Sequence, residues 1–163
     1  AGRCAASVHP MFGPHAPSVA GRNILVCDCG CGRAADMAAG LFCGADILRM
    51  PIASHDAMAA YVLGLSHAVN LAFSDALVHS GFSSSELYAA ASTTFRKQTA
   101  VSREVSEENA ELYYAIQREN PENDAAIANL ERAVAAVRHM TRDEFLLAMQ
   151  KGAEWYRAEH PPR

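Results

Sequence analysis

A long apolar helical pattern occupies the middle of the sequence. Its apolar residues recur every three or four positions, which is the spacing of an α-helix: Met58, Val62, Leu65, Val69, Phe73 and Leu77. The pattern predicts one helix from a cap at Ser54 to about Ser80, ended by Gly81. Because its apolar residues cover more than one stripe, we expect this helix both to run through a bundle and to meet a second subunit.

The chain changes character at Pro51. Three elements precede it, a strand, a helix and a second strand: Asn23 to Cys29, Arg33 to Cys43 and Asp46 to Met50. Strand, helix, strand is the unit of a parallel sheet. After Pro51 the pattern is helical to the end. The sequence therefore predicts a mainly α protein, with a short β-α-β segment over residues 1–51 and a helical domain over residues 52–163.

Local signals divide the helical region further. Two capping boxes predict helix starts: Ser83 with Glu86, and Thr141 with Glu144. We expect the helix that begins near Thr93 to be interrupted between Ala100 and Ser102. Asn120 followed by Pro121 is typical of another helix start, with Asn as the cap and Pro in the first turn.

Charge and hydropathy argue against two classes of partner. The net charge is −4 and the 14 Lys and Arg residues are scattered, so no basic face is available for nucleic acid. The most apolar stretch is interrupted by His67, Asn70 and Asp75, which argues against a membrane span. The first ten residues lack the apolar core of a signal peptide. We therefore expect a cytoplasmic protein.

Five cysteines occur, an odd number: Cys4, Cys27, Cys29, Cys31 and Cys43. In a cytoplasmic protein they are expected to be reduced. Three of them alternate at the end of the predicted strand, a pattern that fits small buried side chains on one strand face. A metal site is the weaker alternative, because zinc ligands usually come as two separated pairs. We predict no metal.

A glycine pattern follows the predicted strand. Gly30-Cys31-Gly32-Arg33-Ala34-Ala35 fits G-x-G-x-x-A and opens a helix, as a dinucleotide-binding turn does. Such a unit also needs an acidic residue at the end of the next strand, about 20 positions on. That strand ends with Arg49-Met50-Pro51. The pattern therefore favours an ordinary strand-to-helix turn over a nucleotide site.

The segment with the clearest chemical potential is His9-Pro10-Met11-Phe12-Gly13-Pro14. The two prolines stiffen a loop and Gly13 permits a tight turn. This holds His9 in a fixed place just ahead of a strand. Histidine is the side chain suited to moving a proton near neutral pH. Taken alone, a loop histidine is more often a solvated residue than a catalyst.

The hexapeptide resembles the signature of the prephenate dehydrogenase family, whose members oxidatively decarboxylate prephenate or arogenate in tyrosine biosynthesis. Further segments are similar to the family's and occur in its order: Ser54-His55-Asp56, His67, Ser92-Thr93-Thr94-Phe95-Arg96, and Leu112-Tyr113 with Ile116 and Asn120. The resemblance implies a helical dimerisation bundle, like the C-terminal domain of 6-phosphogluconate dehydrogenase, preceded by a remnant of a Rossmann domain.

The resemblance also implies roles for particular residues. His9 would take the proton of the substrate's ring hydroxyl, and Arg96 would grip a substrate carboxylate. His67 would line the substrate pocket, although a core histidine satisfied by its neighbours is an equal alternative. The intact enzyme would use NAD or NADP and act as a homodimer.

Several departures from the family pattern are visible. Gly64 stands where many members have a histidine, Lys97 where many have an acid, and Ala110 where a proline is common. The family's nucleotide-binding fingerprint is missing, so we expect the chain alone neither to bind NAD(P) well nor to turn over. Two alternatives are a non-catalytic helical interaction module of the same descent and a small nucleotide-binding protein using the Gly30 turn.

Overall fold

The sheet has three strands and mixed direction. The computed structural model describes residues 4–13 and 16–159, so Pro14 of the hexapeptide lies outside the described residues. The strands are β1 (Ala6–Pro10), β2 (Asn23–Asp28) and β3 (Asp46–Pro51), in the order β1-β2-β3. β2 and β3 are parallel and joined by helix α1 (Gly32–Gly40), which confirms the predicted β-α-β segment.

His9 lies on a strand, and the prediction of a loop was wrong. β1 pairs with β2 in the antiparallel direction, with His9 opposite Leu25. The residues before the turn at Met11 and Phe12 form a strand and pair with β2. A strand fixes the backbone of His9 more firmly than a loop does, because its neighbours are paired on a sheet.

The central strand β2 is buried on both faces, which explains its continuous apolar run. Ile24 and Val26 pack with Ala35 of α1 on one face. Leu25 and Cys27 pack with Met50 on the other face. A strand that is covered on both faces typically has an unbroken run of hydrophobic residues in its sequence.

The rest of the chain is helical, as predicted. One uninterrupted helix comprises α2 (Ile52–Ala59), a π-helical segment (Ala60–Leu65) and α3 (Ser66–Val78). The later helices are α4 (Ser84–Ala89), α5 (Thr93–Glu107), α6 (Ala110–Glu119), α7 (Asn123–His139) and α8 (Arg142–Glu159). Both predicted capping boxes form: Ser83 with Glu86, and Thr141 with Glu144.

Three predicted helix boundaries were wrong. The long helix begins at Ile52, with Pro51 as its cap, and not at Ser54. α5 continues through residues 100–102, and the break comes at Glu108. Asn109 then caps α6 by accepting a hydrogen bond from the Leu112 N–H. α7 begins at Asn123, three residues after Asn120.

The chain forms two compact units, residues 1–123 and residues 124–163. In the first unit a buried polar cluster joins α3 to α5. The Asn70 side-chain oxygen accepts hydrogen bonds from Gln98 at 2.9 Å and Ser102 at 2.8 Å. Buried polar groups need such partners, so the cluster helps to fix how these two helices pack.

Polar residues interrupt the most apolar stretch, and on that ground the sequence argued against a membrane span; length and composition alone would allow one. Ile52–Val78 is a single helix of 27 residues whose length and composition would allow it to cross a bilayer. The core helix of a soluble protein passes the same test. Within this helix the Asn70 side chain is buried, and its oxygen accepts hydrogen bonds from α5 of the same unit.

The expectation that all cysteines are reduced was also wrong. Cys4 and Cys31 form a disulfide that links the segment before β1 to the cap of α1. Cys27 is buried as predicted, whereas Cys29 and Cys43 are exposed. Among the residues that the structure describes, no group of three or more His, Cys, Asp or Glu is placed to hold a metal ion.

Candidate functional site

A cavity of about 310 Å³ opens beside His9. Its walls are the end of β1, the first turns of the long helix and one face of α6. Apolar side chains such as Leu63, Leu112 and Ile116 line part of it, and polar ones cluster around His9. The volume is at the lower end of the range for small-molecule sites, roughly 300–1,000 Å³.

His9 is held from one side by the start of α2. His9 Nδ1 lies 2.9 Å from His55 Nε2, and His55 Nδ1 lies 2.8 Å from Asp56 Oδ1. β3 leads through Pro51 directly into α2, and His55, four residues after Pro51, comes within hydrogen-bond distance of His9. The His55 and Asp56 side chains are 16 % and 50 % exposed.

His9 is suited to accept a proton. Burial, and then the nearby His55, hold the pKa of His9 below its ordinary value of 6.5. A lowered pKa keeps the imidazole neutral near neutral pH, which is the form that acts as a base. His9 Nδ1 contacts His55. Within the described part of the chain, no hydrogen bond is made to His9 Nε2.

Asn120 ties the two helical walls of the cavity together. Its side-chain nitrogen donates a 2.8 Å hydrogen bond to the backbone carbonyl of Asp56. Its side-chain oxygen accepts from the Glu122 N–H. Sequence reasoning gave Asn120 a capping role and a place in the family pattern but no contact with Asp56, because a contact with a residue 64 positions away leaves no local signal.

Arg96 does not line the His9 cavity. It lies in the first turn of α5, where its guanidinium donates a 3.0 Å hydrogen bond to the Tyr88 carbonyl. The same group stacks over the Tyr88 ring, 5.8 Å from its centre. The structure thus brings His9 together with His55 and Asp56, and it leaves Arg96 exposed at another place on the same unit.

His67 lies in the helical core and not on the cavity wall. Its ring stacks on Tyr113 with centroids 4.1 Å apart, and the residue is 9 % exposed. Burial lowers the pKa of His67. Its Nδ1 is buried without a hydrogen-bond partner among the described residues. It is therefore a core histidine, but one with an unsatisfied nitrogen.

We expect His67→Phe to leave the free energy of unfolding unchanged or to raise it by about 1 kcal/mol. Phenylalanine keeps the stack on Tyr113 and removes a buried polar atom that has no partner. His67→Ala should instead lower the free energy of unfolding by about 2 kcal/mol or more, because a cavity replaces the ring. Urea denaturation measures both. A tenfold loss of affinity for prephenate in the Phe variant would instead place His67 in contact with the substrate.

The glycine turn after β2 does not fit a pyrophosphate. Gly30 adopts a φ of +92°, which favours glycine. The backbone N–H groups of Gly30 and Cys31 both donate 2.8 Å hydrogen bonds to the Asp28 carboxylate. A phosphate would need these same groups, and the negative charge of Asp28 opposes it. This supports the interpretation of an ordinary turn.

Comparison with known proteins gives one family and a consistent set of folds. The family model described as prephenate dehydrogenase, dimerization domain, matches residues 51–151, more than half of the chain. No curated protein matches the sequence.

Several solved structures are similar to this chain in fold, two enzymes among them. The prephenate dehydrogenase of Aquifex aeolicus in complex with hydroxyphenyl propionate and NAD+ has a TM-score of 0.71 at 21 % identity, over 94 % of this chain and 58 % of that one. The Synechocystis arogenate dehydrogenase has a TM-score of 0.67 at 17 % identity, over 95 % and 61 %. The chain thus spans about three fifths of these enzymes.

Proposed function

The chain belongs to the prephenate dehydrogenase family through its dimerization domain, and we propose that it forms the substrate-binding and dimerising part of a prephenate or arogenate dehydrogenase. The observation that carries this proposal is His9, held by His55 beside a cavity of small-molecule size, with one ring nitrogen open. A neutral, oriented imidazole is the group that removal of a hydroxyl proton requires.

The proposed chemical step of this chain is a proton transfer. The ring hydroxyl of the substrate donates its proton to His9 Nε2. In the family, hydride passes from the same ring carbon to NAD or NADP while carbon dioxide leaves and the ring becomes aromatic. Because the described Gly30 turn does not fit the cofactor, we derive no step through it. We propose that the chain alone does not turn over.

Arg96 is proposed to bind a substrate carboxylate in the assembled enzyme. Its guanidinium is exposed, and two of its N–H groups can bind a carboxylate in parallel. The contact with the Tyr88 carbonyl holds the side chain at the start of α5. No Lys or Arg lines the described cavity, so a dianionic substrate needs a cation from elsewhere in the assembly.

Isothermal titration with prephenate and with arogenate tests this proposal. The wild-type chain should bind one of them saturably, and Arg96→Ala should weaken binding at least tenfold. Arg118→Ala is the matched control, because Arg118 is also a helical arginine stacked on a tyrosine, 6.0 Å from the ring centre of Tyr114. Equal losses in both variants would contradict the proposed clamp.

The second candidate is a non-catalytic dimerisation module of the same family. The observation that favours it is the lining of the described His9 cavity, which carries the carboxylates of Asp56 and Glu119 but no Lys or Arg. Absence of binding at millimolar prephenate and millimolar arogenate would support this candidate over the first.

We propose a homodimer, and expect charges on α8 to dissociate it. This helix leaves large apolar side chains 46–65 % exposed: Phe145, Leu146, Leu147, Met149, Trp155 and Tyr156. Such a surface is typical of a protein–protein interface. The double variant Phe145→Glu, Met149→Glu should shift the mass in light scattering from dimer to monomer.

Lys151→Gln is the control for this experiment. It removes a charge rather than adding one, at a residue that points about 200° away from Met149 on the helix. We expect it to remain dimeric. A monomeric wild-type chain, or a double variant that stays dimeric, would contradict an interface on α8.

A further inference from the structure

Asp56, His55 and His9 form a hydrogen-bonded row of three side chains, with His55 in the middle and His9 at the end beside the cavity. Asp56 Oδ1 contacts His55 Nδ1 at 2.8 Å, and His55 Nε2 contacts His9 Nδ1 at 2.9 Å. We propose that Asp56 and His55 are a positioning pair that fixes His9 in the tautomer with its hydrogen on Nδ1 and its free electron pair on Nε2. This inference rests on the proposed role of His9 and deepens it.

The direction of the hydrogen bonds follows from what each group can donate. The carboxylate of Asp56 only accepts, so the hydrogen of His55 lies on Nδ1. A neutral imidazole with its hydrogen on Nδ1 has its electron pair on Nε2. His55 Nε2 is therefore an acceptor, and the only hydrogen available at this contact is on His9 Nδ1. The electron pair of His9 then lies on Nε2.

The same hydrogen bonds also remain possible after His9 has taken up a proton. When the substrate hydroxyl oxygen gives its proton to His9 Nε2, both ring nitrogens of His9 carry hydrogen. The Nδ1–H still donates to His55, so no side chain has to turn. Asp56 and His55 transfer no proton themselves. A third group that orients the base and stabilises its cation is a recurrent device in acid–base sites.

Packing holds the positioning pair in place. The His55 side chain is only 16 % exposed, and its ring centre lies 5.1 Å from that of His9. The carbonyl of Asp56 accepts a hydrogen bond from Asn120, which anchors α2 to the end of α6. His55 is therefore fixed by groups on both sides, as a residue that orients another must be.

The experiment is long-range ¹H–¹⁵N NMR of the 163-residue chain labelled at histidine, without any ligand. The wild type should show His9 with hydrogen on Nδ1. His55→Phe keeps a ring in place but offers no acceptor, so His9 should become a mixture of both tautomers. His55→Gln supplies an amide oxygen as acceptor and should restore the wild-type tautomer. Asp75→Asn, at the exposed Asp75–His79 pair, is the control and should leave His9 unchanged.

Each outcome decides the proposal. A wild-type His9 with its hydrogen on Nε2 overturns it, and this result needs no variant to fold. An unchanged His9 tautomer in a folded His55→Phe chain also overturns it. Because the readout involves no substrate, it is independent of the proposed function. Failure to bind prephenate or arogenate with the predicted tautomer present would count against the function and not against the positioning pair.

Discussion

Replacing His9 with Asn should lower kcat by about 10²- to 10⁴-fold in a dehydrogenase that joins this chain to a nucleotide-binding domain, because that is the usual contribution of a positioned general base. Asparagine is similar in size but cannot accept the proton of the ring hydroxyl. KM should change much less, since the cavity walls remain. Initial rates of nicotinamide reduction measure both constants.

His79→Asn is the matched control for that experiment. His79 is an exposed histidine at the end of α3, and its Nδ1 lies 2.9 Å from the carbonyl of Asp75, away from the described cavity. It should leave kcat within a factor of about two of the wild type, as surface substitutions generally do. A His9→Asn enzyme with nearly full kcat would contradict the assignment of His9 as the base.

The same residue sets an expected pH dependence. Burial and His55 lower the pKa of His9 below 6.5, so the neutral base is present above that value and lost as the pH falls through the lowered pKa. The acid limb of kcat/KM in the wild-type enzyme should therefore lie below pH 6.5. It should be absent from the residual activity of His9→Asn. An acid limb above pH 6.5 would contradict the burial of His9.

Gly64→Ala should lower the free energy of unfolding by about 1–3 kcal/mol, the usual cost of overpacking. A Cβ at Gly64 would overlap with the side-chain oxygen of Asn123. Asn123 is buried and donates hydrogen bonds to the carbonyls of Ile116, at 2.6 Å, and Gln117. The Asn123 side chain cannot rotate away from position 64 without losing these hydrogen bonds. Chemical denaturation measures the change.

A double-mutant cycle identifies the contact. Asn123→Ala removes the atoms that the new Cβ would meet, so Gly64→Ala should be much less destabilising in that background. Gly152→Ala is the control, since Gly152 is helical with open space around it, and it should stabilise by up to about 1 kcal/mol. Equal destabilisation by the two alanines would contradict the close approach of Gly64 and Asn123.

This contact also accounts for a departure from the family pattern. Many members have a histidine where this chain has Gly64. Here the backbone of Gly64 packs against Asn123, and its carbonyl accepts a 2.8 Å hydrogen bond from Gln117. A histidine side chain has no room at this position, so the glycine is a requirement of packing.

Features with local causes were predictable from sequence. The capping boxes at Ser83 and Thr141 depend on residues three positions apart, and both form. β2 was predicted because a strand buried on both faces needs a continuous apolar run. The start of α6 at Asn109 was missed, although asparagine is one of the residues most strongly preferred at a helix N-cap.

Features with long-range causes were not predictable in the same way. The His9–His55 contact joins residues 46 positions apart and depends on how β1 lies against the start of α2. The placement of Arg96 beside Tyr88, away from the cavity, depends on the packing of α4 and α5. Asp28 was not singled out, because nothing in a strand end shows that its carboxylate will fill the following turn.

The most direct test of the account is NMR titration of the histidine-labelled chain with prephenate and with arogenate. We predict that one ligand shifts the His9 Nε2 signal saturably, because its ring hydroxyl binds there, while the signals of the exposed His79 stay in place. Saturable binding that leaves His9 unmoved would contradict the claim that this cavity is the substrate site.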